Sequence, residues 1–355
     1  MIRPHPHVAA MAAYALADPG DGHTISLAQN ESAFAASPAA VAAAQSALAD
    51  MTLYPDPDWR ETRAAIAEVH GLDPARILCG AGSMELIACL IRAYAGPGDQ
   101  VLGTQYGYAF VASATAQARA RYVAAPEIDL TVSVDAVLAA VTSDTRIVFV
   151  CNPGNPTGTL IANSELLRLR SGLPENVLLV LDQAYAEFAD HIQDPASVFA
   201  LADRGDTVIM RTFSKAYGLA AARVGWGYFP SEIAVELRKL LNPNNVSTPS
   251  QIAATAAMRD QAHMQSVVVR TAALRDQFAQ ACRDLTLVVP DSHTNFVLIR
   301  FASATQAQRA DLALRADNLL LRGMSGYGLT ECLRATVCPS ETMEKVHHVL
   351  KGVLT

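Results

Sequence analysis

The chain has 355 residues, 51% hydrophobic and 17% charged, which is enough for two domains with substantial cores. Its formal charge is -7 and its basic residues are scattered, so a nucleic-acid-binding face is not expected. No uninterrupted apolar run reaches the roughly 18 residues of a spanning helix, and the proline-broken start MIRPHPHVAAMAAYALADPGDG lacks the order of a signal peptide. A cytoplasmic protein that contacts neither nucleic acid nor membrane is therefore expected. The six cysteines form no Cys-x-x-Cys pair and read as reduced residues in or near the core. His5 and His7, in a proline-spaced start, are not taken as metal ligands.

Short β-branched or leucine-rich runs alternate with longer amphipathic segments, the pattern of a parallel sheet flanked by helices. Residues 76–79 (RILC) predict a strand, followed by the loop GAGS and the helix MELIACLIRAY. QVLG (100–103) and RYVA (121–124) bracket another helix. Three further strands are predicted at 146–151, 176–182 and 207–212, and they run into NPGNPTG, DQAY and FSK. Ligands of open α/β sheets sit beyond the carboxyl ends of the strands, so these three ends are expected to converge on one site. From about residue 250 a helical run, QIAATAAMRDQAHMQSVVVRTAALRDQFAQACRDL, precedes the strand candidates LTLVVP and NFVLIRF and a final helix. The expected division is an N-terminal arm over 1–35, a large domain over 36–245 and a small α+β domain over 246–355.

Lys215, directly after a predicted strand and near Arg223, has the two features that lower a lysine pKa and make it a nucleophile: desolvation and a neighbouring cation. A surface lysine at a helix start is the alternative. Asp182 ends a buried strand, where a carboxylate needs a cation or donors. The ring nitrogen of pyridoxal phosphate would be such a cation, and a helix cap is the other reading. Tyr185 and Asn155 could hold the phenolic oxygen of that ring, although NPGNPTG is also plain turn chemistry. GAGSMEL hands a strand over to a helix whose free N–H groups would face a phosphate, with Ser83 adding a hydroxyl. Arg223, Thr212 and Ser214 would complete that cradle.

In this order and spacing, GAGS, QYGY, NPGNPTG, DQAYAEF and FSKAYGLAAARVG resemble the fold-type I pyridoxal-phosphate aminotransferases, specifically the histidinol-phosphate aminotransferase group. The resemblance runs from SLAQNESAFAASP to GYGLTECLRATV. It implies an aspartate aminotransferase-like fold, with a mostly parallel seven-stranded sheet in the large domain and a smaller α+β domain. By the same resemblance, Lys215 carries the cofactor covalently and moves the proton between substrate and cofactor carbons. Asp182 pairs with the ring nitrogen, Tyr185 and Asn155 hold the phenolic oxygen, and Tyr106 stacks on the ring. Ala81, Gly82, Ser83 and Met84 occupy the phosphate-loop positions, assisted by Thr212, Ser214 and Arg223. Tyr54 reaches the phosphate of a partner subunit, so a homodimer with shared active sites is implied. Arg334, Arg322 and Asn30 face the substrates, an amino donor and a 2-oxo acid such as 2-oxoglutarate.

Two departures from the group's pattern are present, the first at a position that is not the pyridine partner. DQAY stands where the group usually has DEAY, and NESAFAASP stands where it often has a form like NENPLGPSP. The second alters a loop that lines the substrate pocket, so histidinol phosphate and aromatic or other amino acids all remain candidate donors. A decarboxylase of a phosphorylated amino acid on the same scaffold and an inactive cofactor-binding module are the alternative functions. A nicotinamide enzyme lacks a GxGxxG fingerprint after a first strand.

Overall fold

Runs such as IVFVC and LLVLD are apolar at nearly every position, which suits strands covered on both faces. A computed structural model, which describes residues 2–13 and 23–354, buries both runs in the middle of a seven-stranded sheet. The first strand of the chain, β1 (Ile25–Leu27), belongs to a smaller sheet. The large sheet contains β2 (Ile77–Ala81), β3 (Gln100–Thr104), β4 (Arg121–Ala125), β5 (Thr145–Cys151), β6 (Leu178–Asp182), β7 (Thr207–Thr212) and β8 (Val224–Tyr228). Their order is β2-β8-β7-β6-β5-β3-β4, and only β8 runs antiparallel to its neighbours. Cys151 lies beside Asp182 and Asp182 beside Met210, so the carboxyl ends of β5, β6 and β7 are level.

Strand β8, VGWGY, is not among the sequence-predicted strands because two glycines in five residues oppose strand propensity. Close approach explains them. A Cβ on Gly225 would overlap the backbone nitrogen of Ser83 and lie 2.6 Å from the Gly82 carbonyl carbon, and one on Gly227 would lie 2.6 Å from the Phe229 ring.

Helices α1 (Pro38–Ala47), α2 (Arg60–His70), α3 (Ser83–Tyr94) and α4 (Ala109–Gln117) belong to the large domain. The long helical run beyond residue 250 is two helices, α5 (Thr248–Arg259) and α6 (Gln261–Asp284). They break at Asp260, whose backbone leaves helical geometry (ψ 63°) and whose carboxylate accepts the His263 N–H. The small side chains of α5 let it pack closely on α1 and α2, so Ala253, Ala254, Ala257 and Met258 join the core of the large sheet although they follow the expected boundary at 245/246.

The small sheet joins β1 to β9 (Phe296–Arg300), β10 (Leu319–Gly323) and β11 (Cys332–Thr336), in the order β1-β10-β11-β9. β1 is parallel to β10, and the other pairs are antiparallel. Leu27 thus packs with Phe278, Val297, Leu321 and Val346 in a second core, and the expected arm contributes a strand to the small sheet. Residues 14–22 of that arm lie outside the described residues. LTLVVP, expected as a strand, makes only a single bridge, Val288 to Arg300. Among the described residues no helix is long and apolar enough to cross a membrane, and no group of three or more His, Cys, Asp or Glu side chains is placed to hold a metal ion.

Candidate active site

The level ends of β5, β6 and β7 form the floor of a cavity of about 520 Å³. Asn155, Asp182, Tyr185, Thr212, Ser214 and Lys215 line it from the large sheet, Ser83 and Met84 from the start of α3, and Arg223 from the turn before β8. Arg322 and Arg334 enter from the small sheet, and Asn30 from the segment after β1.

Lys215 is the centre of this arrangement. Its Nζ donates to the carbonyl oxygens of Asn30 at 2.8 Å and Gln29 at 3.2 Å, and it lies 5.8 Å from the centre of the Tyr185 ring. Burial, with the positive charge of Arg334 as the next cause, lowers its pKa to about 7. Half of such an amine is neutral near pH 7, so the nitrogen can act as nucleophile or base there. Asp182 is 3% exposed and accepts the Ala184 N–H at 3.1 Å. Burial raises its carboxyl to about 6, and the backbone donor and Lys215 only partly offset this.

The cavity also holds a set of donors suited to an anion. Helix α3 is preceded by Gly82, which is held at φ 76° and offers no side-chain cap, so the N–H groups of Ser83 and Met84 are available to a ligand while that of Glu85 meets the Gly82 carbonyl. A Cβ on Gly82 would collide with the Arg223 guanidinium. Arg223 itself adopts φ 52°, accepts the Gly82 N–H through its carbonyl, and directs Nη1 toward the Ser214 hydroxyl at 3.4 Å. The Thr212 hydroxyl accepts the Ser214 N–H at 3.1 Å. Gly225→Ala is expected to push β8 off the start of α3, costing about 1–3 kcal/mol by overpacking and weakening phosphate binding. A thermal melt and a phosphate or cofactor titration check both effects.

The Arg334 guanidinium donates to Asn155 Oδ1 at 2.7 Å and to the Ala28 carbonyl at 2.9 Å. Arg322 is its register partner across the β10–β11 ladder. Two guanidinium groups directly opposite each other repel unless an anion lies near them. Asn30, at φ 56°, donates from Nδ2 to the Tyr185 hydroxyl at 2.9 Å and from its backbone to Thr336 Oγ1 at 2.9 Å. Burial raises the Tyr185 pKa, so its hydroxyl keeps its proton near neutrality.

Three expected residues, Ala81, Gly82 and Tyr106, lie elsewhere, and Tyr54, expected at a partner's cradle rather than this one, does not line the cavity either. Ala81 and Gly82 stand behind the cavity wall, and Gly82 acts through the room it leaves for Arg223. Tyr106 does not line the cavity: its side chain packs with Leu130 and Tyr327 against Leu298, Met324, Leu329 and Cys332. The chain turns after β3, with the Gly107 N–H donating to the Thr104 carbonyl, and brings Tyr108, at the cap of α4, to the cavity instead. Tyr54 is 89% exposed and also stands away from the cavity, beside Met51 and Leu53 at 69% and 71%.

Sequence reasoning missed several residues of the site. Asn295 donates through Nδ2 to the carbonyls of Asn30 and Glu31, at 3.1 and 2.9 Å. Thr336 holds the Asn30 backbone. Each sits at an end of a small-sheet strand, and the HTN run before FVLIR is the only local signal of polar side chains there.

The chain's residues 22–353 match the family model for aminotransferase class I and II. It is 46% identical over 318 residues to a histidinol-phosphate aminotransferase of Dinoroseobacter shibae, covering 89% of this chain and 87% of that protein. To one of Cereibacter sphaeroides it is 40% identical over 355 residues, covering 98% and 97%. Among solved structures, the histidinol-phosphate aminotransferase of Sinorhizobium meliloti in complex with pyridoxal-5'-phosphate superposes with a TM-score of 0.91 at 28% identity, over 100% of this chain and 98% of that one. A mutant aspartate aminotransferase of Thermus thermophilus superposes at 0.86 with 20% identity, over 99% and 100%, and shares the fold. From the family match over nearly its whole length and these relatives, the chain belongs to the class I and II aminotransferases.

Proposed function

We propose that this aminotransferase uses pyridoxal phosphate to move the amino group of histidinol phosphate to a 2-oxo acid such as 2-oxoglutarate. The observation that carries this reading is the convergence of Lys215, Asp182, Asn155, Arg223 and Arg334 on one cavity. The residues present fit the cofactor. Asp182 is a buried carboxylate suited to a cationic ring nitrogen, and Arg223, Ser214, Thr212, Ser83 and the first N–H groups of α3, including that of Met84, suit its phosphate. Asn155 and Tyr185 are the cavity groups that would hold its phenolic oxygen, and Tyr108 rather than Tyr106 would provide an aromatic wall. When bound, the cofactor supplies a sink for the electron pair left at the substrate carbon.

The chain's own groups supply the rest. Lys215 Nζ takes the proton from the substrate carbon and returns it during the exchange of amino and oxo groups. Asp182 would hold the ring nitrogen of the bound cofactor, and the cation there would in turn favour its ionised form. Arg334 fixes Asn155 while its guanidinium and that of Arg322 attract an anionic substrate group, the phosphate of the donor or a carboxylate of the acceptor. The choice of donor rests on the names of the relatives at 40% and 46% identity. Those names give no support to the decarboxylase, and Lys215 with its lowered pKa speaks against an inactive module.

Titrating the cofactor-loaded protein with histidinol phosphate, glutamate and aromatic amino acids, and following its visible absorbance, tests the donor. The band of the lysine-bound cofactor is expected to disappear at the lowest concentration with histidinol phosphate. A protein that shows no such band with pyridoxal phosphate would overturn the reading.

The lowered pKa of Lys215 gives a second expected result. Only the neutral amine attacks a carbonyl, so capture of pyridoxal phosphate by the cofactor-free protein should rise with pH, reach half its maximum near 7 and flatten above. An ordinary lysine, near 10.4, would keep accelerating through pH 9. Stopped-flow absorbance distinguishes the two profiles.

The exposed ridge of Met51, Leu53 and Tyr54 supports a homodimer in which Tyr54 reaches the phosphate cradle of the partner subunit. A monomer in sedimentation, or Tyr54→Ala protein with unaltered cofactor affinity, would rule this out.

A further inference from the structure

Segment 29–37 crosses the cavity between β1 and α1, and its two halves are held by different parts of the molecule. The first half is fixed by the site itself, through the contacts of Asn30 with Lys215, Tyr185, Thr336 and Asn295. The second half is not part of any strand, and helix α6 grips it with three side chains. Asp260, at the cap of α6, accepts the Ser37 hydroxyl at 2.5 Å. The His263 ring nitrogen Nε2 lies 3.0 Å from the Ala35 carbonyl oxygen. Arg270 places its guanidinium carbon 3.7 Å from the centre of the Phe34 ring. The spacing of 260, 263 and 270 puts all three on one face of the helix. From behind, Gly218, in the turn that carries Lys215, abuts Ala36: a Cβ there would lie 3.2 Å from the Ala36 nitrogen.

Arg270 is the outermost of these grips, and Phe34 is half-buried beneath it. Among the described residues it meets this ring and no carboxylate. A guanidinium without a carboxylate, flat over a ring, is attracted by the ring's negative face. Phe34 is four positions from Asn30, so any slack at the ring is passed along a short chain to the carbonyl that meets Lys215.

We propose that Arg270 is a positioning residue for the amino-donor pocket: seated on Phe34, it holds the loop that presents Asn30 to Lys215 and Tyr185. The role rests on the reading of the cavity as a transaminase site. It concerns the loop rather than the chemistry, so its loss weakens donor binding and leaves turnover at saturation intact.

The test compares Arg270→Ala, Arg270→Lys, Phe34→Ala and the double variant Phe34→Ala/Arg270→Ala. Hydrogen exchange of amides 30–37, measured without substrate, is expected to quicken in Arg270→Ala. KM for the donor should rise about two- to fivefold, the range for one exposed cation–ring contact, at unchanged kcat. Arg270→Lys should restore part of both effects, and the double variant should be no worse than the worse single, because the two substitutions remove one contact. Unchanged exchange in 30–37, a fall in kcat without a rise in KM, or fully additive effects would overturn the proposal. Exchange does not depend on which donor is used. Faster exchange in a protein that turns over none of the donors would sink the transaminase reading while establishing the loop's dependence on Arg270.

Discussion

Lys215→Ala protein is expected to lose transamination by on the order of 10⁴-fold or more, because one nitrogen acts as both nucleophile and proton carrier. In the cavity that nitrogen stands between the Asn30 and Gln29 carbonyls and faces the side of Asp182 and Tyr185. Among the described residues lining the cavity it is the only lysine, so no second amine can substitute. The measurement is the rate of each half-reaction under single-turnover conditions, with a thermal melt beside it to separate lost chemistry from lost fold. Full activity in this variant would remove the basis of the proposed mechanism. An added small amine restoring part of the rate would identify the missing group as a base.

Asp182→Asn carries the second large expected effect, a loss on the order of 10²–10³-fold in turnover, comparable to removing one pre-placed electrostatic partner from a buried site. Asparagine retains an oxygen for the Ala184 N–H and nearly the same volume, so packing is preserved while the charge disappears. The pH dependence follows from the raised carboxyl of the cofactor-free protein, about 6. Below that value the group is protonated and cannot attract a cationic ring, so cofactor affinity should fall as the pH drops through 6. In Asp182→Asn this dependence should vanish along with the affinity it supports. Equilibrium cofactor binding from pH 5 to 8 reads the outcome, and an unchanged pH profile would mean that Asp182 does not face the ring.

The parts of this site legible in the sequence are those set by strand ends. Asp182 and the NPGNPTG segment each close a continuous apolar run and Lys215 comes three residues after the strand TVIMRT, and parallel strands bring such ends to one level, so their convergence follows from elementary sheet geometry. The parts not legible depend on how a turn directs side chains. Tyr106 and Tyr108 are two positions apart in a loop, and only the folded turn at Gly107 decides which of them reaches the cavity. Strand β8 was hidden because its glycines serve contact with α3 and Phe229, a need that arises only once those elements are in place. The alanine-rich face of helix α5 fits either domain in sequence, and only its packing against α1 and α2 joins it to the core of the large sheet. Asn295 and Thr336 act through the backbone of residues 30 and 31, and such contacts leave little trace in a one-dimensional pattern.

The pairing of β1 with β10 also has a bearing on synthesis. Ile25 is matched with Leu319, roughly 300 positions away, a separation of the kind that slows folding. A ribosome delivers all seven strands of the large sheet by residue 228, and with them Asp182, Lys215 and Arg223. The strand that anchors Asn30 waits for β10, and Arg334 arrives with β11 after that. The half of the site that would take the phosphate can therefore be assembled on a growing chain, while the half proposed to meet the donor waits until β10 and β11 have been made.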